Sequence, residues 1–187
     1  MPFNFFKKKI QKPEENKLHY DPLNIMVTDL RKGFVFEYDM EEWLVEAEYH
    51  YDWGNEHISQ EFKVTNGTET YFMSVDKEDE VEIGLFEKIK LSAFDTDISG
   101  EIIKNDQPPF KLVYENMTFT REAETPGYFN DGETEGDWEE MIAWNYYDES
   151  EEYALTIEQW GERKFEASFG KIIKEHEISN ILPVNNS

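Results

Sequence analysis

The residues whose types and spacing could do chemistry lie first in one short stretch, Asp95-Thr96-Asp97-Ile98-Ser99-Gly100-Glu101-Ile102, with Asp106 beyond it. Oxygen-bearing side chains at alternate positions, a glycine at the bend and an apolar residue two places later follow the first half of a calcium loop. Asp95, Asp97 and Ser99 would supply oxygens, and Asp106 falls where the closing carboxylate belongs. Two features oppose calcium. The closing ligand is normally a bidentate glutamate, and Pro108-Pro109 forbids the helix that should follow. The bland alternative is an acidic linker.

Carboxylates also come in pairs: Glu46/Glu48, Glu80/Glu82, Glu139/Glu140 and Glu158/Glu162. Acid–base chemistry would need one of each pair buried in a cleft, with its pKa pushed up. Strand alternation instead puts most of them on a polar, solvated face. His50, among Glu46, Glu48 and Asp52, reads as a salt-bridge partner. The four histidines, His19, His50, His57 and His176, fall in no metal-ligand spacing. Cysteine is absent, which removes disulfides, thiolate zinc sites and a cysteine nucleophile. No G-x-S-x-G, P-loop or dinucleotide fingerprint occurs. Trp53, Trp138, Trp144 and Trp160 could line a ligand groove, although aromatics at strand spacing ordinarily form core. The expectation is a non-enzymatic protein without a cofactor.

The elements that must position these residues are strands. Trp43 to Trp53 is the clearest: Trp43, Val45, Ala47, Tyr49, Tyr51 and Trp53 alternate with Glu46, Glu48, His50 and Asp52. Phe62 and Val64 lead into Asn66-Gly67, a strong hairpin signal. A strand motif then appears twice, as Tyr71-Phe72-Met73-Ser74-Val75-Asp76 and Tyr153-Ala154-Leu155-Thr156-Ile157-Glu158. Each copy is followed by a charged loop and a second alternating run. The tails, Phe86-Glu87-Lys88-Ile89 and Phe169-Gly170-Lys171-Ile172, are alike too. The acids Asp76 and Glu158 fall where each strand meets its loop, which gives them a structural role.

These patterns predict an all-β fold, with two related antiparallel meanders packed as a sandwich or split barrel. Short helical turns are expected near residues 23–31 and 174–181. Residues 1–20 read as a flexible leader, and 21–183 as a single β domain of two pseudo-repeats, about 33–91 and 109–174. Neither meander alone is large enough for a good core.

A formal charge of -24 over 187 residues repels nucleic acid and anionic membranes. The leader is the local exception. Phe3, Phe5 and Phe6 precede Lys7, Lys8 and Lys9, and with Ile10 they could form a short interfacial anchor. No apolar run approaches the ~20 residues of a membrane span. Without the long apolar region of a secretory signal, the expectation is a cytoplasmic protein, with that anchor offering peripheral attachment to the inner membrane.

The run from Asp21 to Pro183 resembles a bacterial family catalogued as domain of unknown function 4178. The resemblance rests on Thr28-Asp29-Leu30-Arg31-Lys32-Gly33, Trp43, Tyr51-Asp52-Trp53-Gly54 and Glu61-Phe62. It continues through Pro108-Pro109, Trp144-Asn145-Tyr146-Tyr147-Asp148 and Ile157-Glu158-Gln159-Trp160-Gly161-Glu162. One departure is Gly33-Phe34, where relatives often carry Gly-Asp. The resemblance implies a β-rich fold and, by gene association, a context of polyamine-synthase-like enzymes and membrane-stress proteins. It carries over no catalytic residue. The function expected is binding of a protein partner, which the anchor would place at the inner membrane surface. The alternative is a small-ligand or cation site for polyamines or calcium.

Overall fold

The computed structural model describes residues 19–77, 80–133 and 136–184. Its strands are β1 (Phe34–Tyr38), β2 (Glu41–Asp52), β3 (Ile58–Thr65), β4 (Thr70–Lys77) and β5 (Val81–Ile89) in the first half. The second half has β6 (Lys111–Tyr114), β7 (Met117–Asn130), β8 (Glu139–Tyr147), β9 (Tyr153–Trp160) and β10 (Lys164–Ile173), and β11 (Ser179–Pro183) follows. One α-helix, α1 (Ile98–Asn105), lies between the halves, with 3-10 turns at Val27–Asp29, Leu91–Ala93 and Glu175–Glu177. The all-β expectation holds, as do the turns near 23–31 and 174–181.

The two meanders are joined edge to edge rather than stacked as separate sheets. Eleven strands run in the order β11-β1-β2-β3-β4-β5-β10-β9-β8-β7-β6, and β2 also pairs with β7. The chain from β2 through β5 and β10 back to β7 is therefore a closed ring of eight strands. Closure removes edges from those strands. Among the described residues, β6 and β11 end the sheet.

The pseudo-repeat is visible in backbone detail. β1 turns into β2 through Asp39 and Met40, and β6 turns into β7 through Glu115 and Asn116; both members of each pair have positive φ. Positive φ at both central residues defines the type I′ hairpin, whose twist matches that of its strands. A bulge follows in each long strand, at Glu46 between Val45 and Ala47, and at Glu122 between Arg121 and Ala123. β5 pairs with β10, and β2 with β7, so each seam joins equivalent strands. Aligned on these registers, Tyr71 matches Leu155 rather than Tyr153. The β8–β9 loop is two residues longer than the β3–β4 loop, which slides the sequence motif along the strand without changing its face.

The bulges decide what each face carries. In sequence, Trp43, Val45, Tyr49 and Tyr51 belong to one alternating row. An extra residue reverses a strand's facing beyond it. Val45 pairs with Val64 and points into core, whereas Tyr49 pairs with Glu61 on the opposite face. The core face holds two clusters. Phe62, Val64, Met73, Ile83 and Leu85 pack with Val27 of the first 3-10 turn and Leu30, which caps its end. Trp144, Tyr146, Leu155 and Ile157 pack with Ile98 and Ile102 of α1. The other face holds a small cluster of Tyr51, Met141, Ala143 and Trp160.

On this second face two glycines sit tightly against their neighbours. A Cβ on Gly170 would stand 2.0 Å from the Leu85 carbonyl oxygen, and one on Gly127 would stand 2.6 Å from the Trp53 ring. Backbone cannot yield as a side-chain tip can. Gly170→Ala is expected to cost about 3 kcal/mol, read as a lower urea midpoint, because it forces the β5–β10 seam apart.

Candidate functional site

The same second face opens into a cavity of about 370 Å³. Tyr49 and Tyr51 (β2), Phe72 (β4), Phe129 (β7) and Trp160 (β9) form its aromatic wall. Phe129 meets Tyr51 at a ring-centroid distance of 5.3 Å and Trp160 at 5.1 Å, the latter edge to face. Tyr51 is backed by Trp53, stacked at 5.4 Å, and the Trp53 indole donates to Ser59 Oγ at 2.8 Å. The rings are thus braced in place.

Charged groups complete the lining. Glu61 comes from β3, Lys88 from β5, Glu139 from β8, and Lys164 and Glu166 from β10. Glu158 of β9 stands directly opposite Glu166 and is itself buried. Two like charges in that position repel. Lys88 resolves the conflict: its ammonium lies 3.2 Å from Glu158 Oε2, 3.2 Å from Glu166 Oε2 and 5.5 Å from the Phe72 ring centroid. Lys164 reaches Glu166 at 3.2 Å and lies over the Trp160 ring at 5.4 Å.

Glu61 is different. No ion pair within 4.0 Å reaches it among the described residues; it accepts one hydrogen bond, from the Tyr51 hydroxyl at 3.3 Å. Burial and then the Glu158 charge push its pKa up from 4.5 to about 7, while Lys88 and the Tyr51 hydroxyl pull the other way. Burial likewise raises Tyr51 well above its ordinary value, with Glu61 adding to it. Burial opposes the Lys88 charge, but Glu158, Glu61 and Glu166 together more than reverse this and hold Lys88 protonated. Glu166 is lowered despite burial, by Lys88 and Lys164. The Trp160 indole nitrogen is buried with no hydrogen-bond partner among the described residues.

The cavity is a departure from the repeat, not a product of it. Counting from the bulges and along the paired registers, Tyr51, Glu61, Glu158, Glu166 and Lys88 correspond to Gly127, Ala143, Ser74, Gly84 and Gly170. At each pair of equivalent positions one residue is small and the other is aromatic or charged.

The sequence-based candidates fare unevenly. Asp95, Asp97, Ser99 and Asp106 do not form a loop around one point. Asp97 caps α1, its Oδ1 accepting from the Gly100 amide at 3.0 Å, and Ser99 lies within the helix. Asp106 sits at the far end as the left-handed C-cap. Among the described residues no group of three or more His, Cys, Asp or Glu is placed to hold a metal. Phe3, Phe5, Phe6, Lys7, Lys8, Lys9 and Ile10 lie outside the described residues.

Of the paired acids, Glu46 meets Lys63 at 2.8 Å and Glu82 accepts from the Tyr147 hydroxyl at 3.2 Å. Glu80, Glu139, Glu140 and Glu162 are exposed, in keeping with a solvated face. Glu158 is not, and the solvated reading is corrected there, since β9 turns it onto the closed ring's second face. His50 lies 3.4 Å from Glu48, and Asp76 pairs with His57 at 2.7 Å. Of the four tryptophans weighed, Trp160 lines the cavity, Trp53 braces it, Trp144 is core and Trp138 is exposed. Sequence reasoning did not single out Glu61, Lys88 or Glu166 as site residues.

A family model described as Domain of unknown function (DUF4178) matches residues 31–175, which include every cavity-lining residue. A curated protein of Aquifex aeolicus (strain VF5), described as an uncharacterized protein, is 27% identical over 177 residues, spanning 94% of this chain and 96% of the relative. No solved structure matches the chain.

Proposed function

The chain belongs to the family described as Domain of unknown function (DUF4178), and we propose that it is a non-enzymatic binding protein whose cavity takes a small organic ammonium ligand. The observation that carries this reading is Glu61: a carboxylate in an aromatic-walled cavity, without an ion pair of its own among the described residues. A cavity of about 370 Å³ suits a small molecule. Aromatic faces attract ammonium groups, the more so when both are desolvated. Lys88 over Phe72 and Lys164 over Trp160 already make that contact within the chain. The overall charge of -24 would concentrate cations near the opening.

The test is a thermal melt with n-butylammonium or tetramethylammonium chloride against sodium chloride at equal ionic strength. A site filled to a hundredfold over its Kd contributes about 2.7 kcal/mol, or roughly 5–10 °C in Tm for a chain of this size. Equal melts in the ammonium and sodium salts would sink the reading.

A protein-partner role draws on a separate observation. β6 and β11 end the sheet, and Val113 and Leu182 on them are 56% and 57% exposed. Free strand edges of this kind accept a partner's strand. For location we retain a cytoplasmic site, at the inner membrane surface if residues 3–10 act as an anchor. Among the described residues no helix is long and apolar enough to cross a membrane.

A further inference from the structure

We infer that the cavity exchanges a proton for its cation: Glu61 carries a proton while the cavity is empty and releases it to solvent as an organic ammonium enters. The inference rests on the ligand class proposed above and adds how the site is regulated.

It follows from the charges that face one another there. Glu61 is met from β2 by Tyr49 and Tyr51, from β5 by Lys88, from β9 by Glu158, and from β10 by Lys164 and Glu166. Lys63 flanks it on its own strand, and Glu139 approaches from β8. On β4 Ser74 stands directly opposite Glu61 with Phe72 beside it, and on β7 Phe129 faces the cavity; all three are neutral. Lys88 is shared by Glu158 and Glu166, and Lys164 is spent on Glu166 at the exposed rim. Lys63 pairs with Glu46. Glu139 is exposed to solvent; among the three acids set deeper, Glu61, Glu158 and Glu166, one negative charge is left without a counter-charge, and Glu61 is the one with no ion pair among the described residues. A half-buried charge walled by aromatic rings either takes up a proton or finds a cation. The two occupants compete for one place in the charge balance.

No bond to carbon changes in this exchange. The Glu61 O–H breaks, its proton passes to water or buffer, and the ligand's ammonium supplies the positive charge in its stead. By linkage, proton release on binding and weakening of binding by acid are the same quantity. Ammonium affinity should therefore fall about tenfold per pH unit on the acid side of the transition and be level on the alkaline side.

Two measurements test this. The first needs no ligand: the side-chain carboxyl carbon of Glu61, assigned by its loss in Glu61→Gln, is followed by NMR from pH 4 to 9. A midpoint near pH 7 is expected. A midpoint below about 5 would overturn the inference whatever the ligand. The second is calorimetry of n-butylammonium at pH 6 in buffers of different ionisation enthalpy. Release of close to one proton is expected for the wild type and none for Glu61→Gln. Binding without proton release would overturn the exchange while leaving the proposed ligand class intact. A neutral-range midpoint with no binding would overturn the exchange by removing that ligand class.

Discussion

Replacing Lys88 with methionine is expected to destabilise the protein by about 2–3 kcal/mol at pH 8, and by less at pH 5.5. Methionine keeps much of the side chain's length and apolar stem, so packing changes little. What is lost is the single ammonium between Glu158 and Glu166, which stand directly opposite across β9 and β10. Removing one partner of a buried pair ordinarily costs about 3–5 kcal/mol, because the other charge stays buried and unpaired. Glu158 meets that condition, with a side chain 9% exposed. The Lys88 side chain is 36% exposed, so solvent screening trims the figure. At pH 5.5 Glu61 is protonated, one acidic charge fewer faces the gap, and the penalty shrinks. The check is a pair of urea denaturation curves, together with Lys88→Met/Glu158→Gln. The second change should recover at least half of the loss, since it removes the charge that Lys88 was holding. A loss equal at both pH values and unrelieved by Glu158→Gln would make Lys88 a mere packing residue.

Replacing Glu61 with glutamine should do the opposite and stabilise the protein by about 2–3 kcal/mol at pH 8. The sign follows from proton counting. The folded-state pKa of Glu61 is about 7 against 4.5 for the free group, with burial the largest cause. Between those values the folded chain holds more protons than the unfolded chain, so wild-type stability falls as pH rises through the window. Each pH unit across that window removes ~1.4 kcal/mol. Glutamine has no such window and keeps a carbonyl oxygen to accept from the Tyr51 hydroxyl. Wild type and variant should therefore melt alike near pH 4 and diverge by about pH 8. The same substitution should abolish ammonium binding. Stability given up for a group that binding requires is a common signature of a functional site.

The fold was largely legible from the sequence because its signals are local. Alternation marked the strands, Asn66-Gly67 marked a hairpin, and the doubled motif marked the repeat. The cavity was hidden because its making is not local. One residue, Glu46, bulges out of β2 and reverses the facing of Tyr49 and Tyr51, yet in sequence the row from Trp43 to Trp53 alternates without a break. Glu61 then pairs with Tyr49 on the cavity face instead of looking to solvent. Glu158 and Glu166 are brought opposite each other by the β9–β10 register, and Lys88 reaches them across the β5–β10 seam, seventy residues away in sequence from Glu158. A usable signal did exist. The positions equivalent to Glu61, Glu158, Glu166 and Lys88 are Ala143, Ser74, Gly84 and Gly170, and a repeat that exchanges small residues for charged ones marks where structure alone is not the constraint. The motif Asp95 to Asp106 takes a form that its spacing left open. Its spacing also suits a capped helix, and the apolar Ile98 and Ile102 drew it onto the second core cluster.

The central claim, that the aromatic and acidic cavity binds an organic ammonium, is tested most directly at Trp160. Its buried indole N–H resonance, assigned by loss in Trp160→Phe, can be followed by NMR as tetramethylammonium is added at constant ionic strength. The account predicts a saturable shift of that resonance, with those of Trp43 and Trp144 in the two core clusters unmoved and no response in Glu61→Gln. A Trp160 resonance that stays fixed, or that drifts without saturation together with the other indoles, would contradict it.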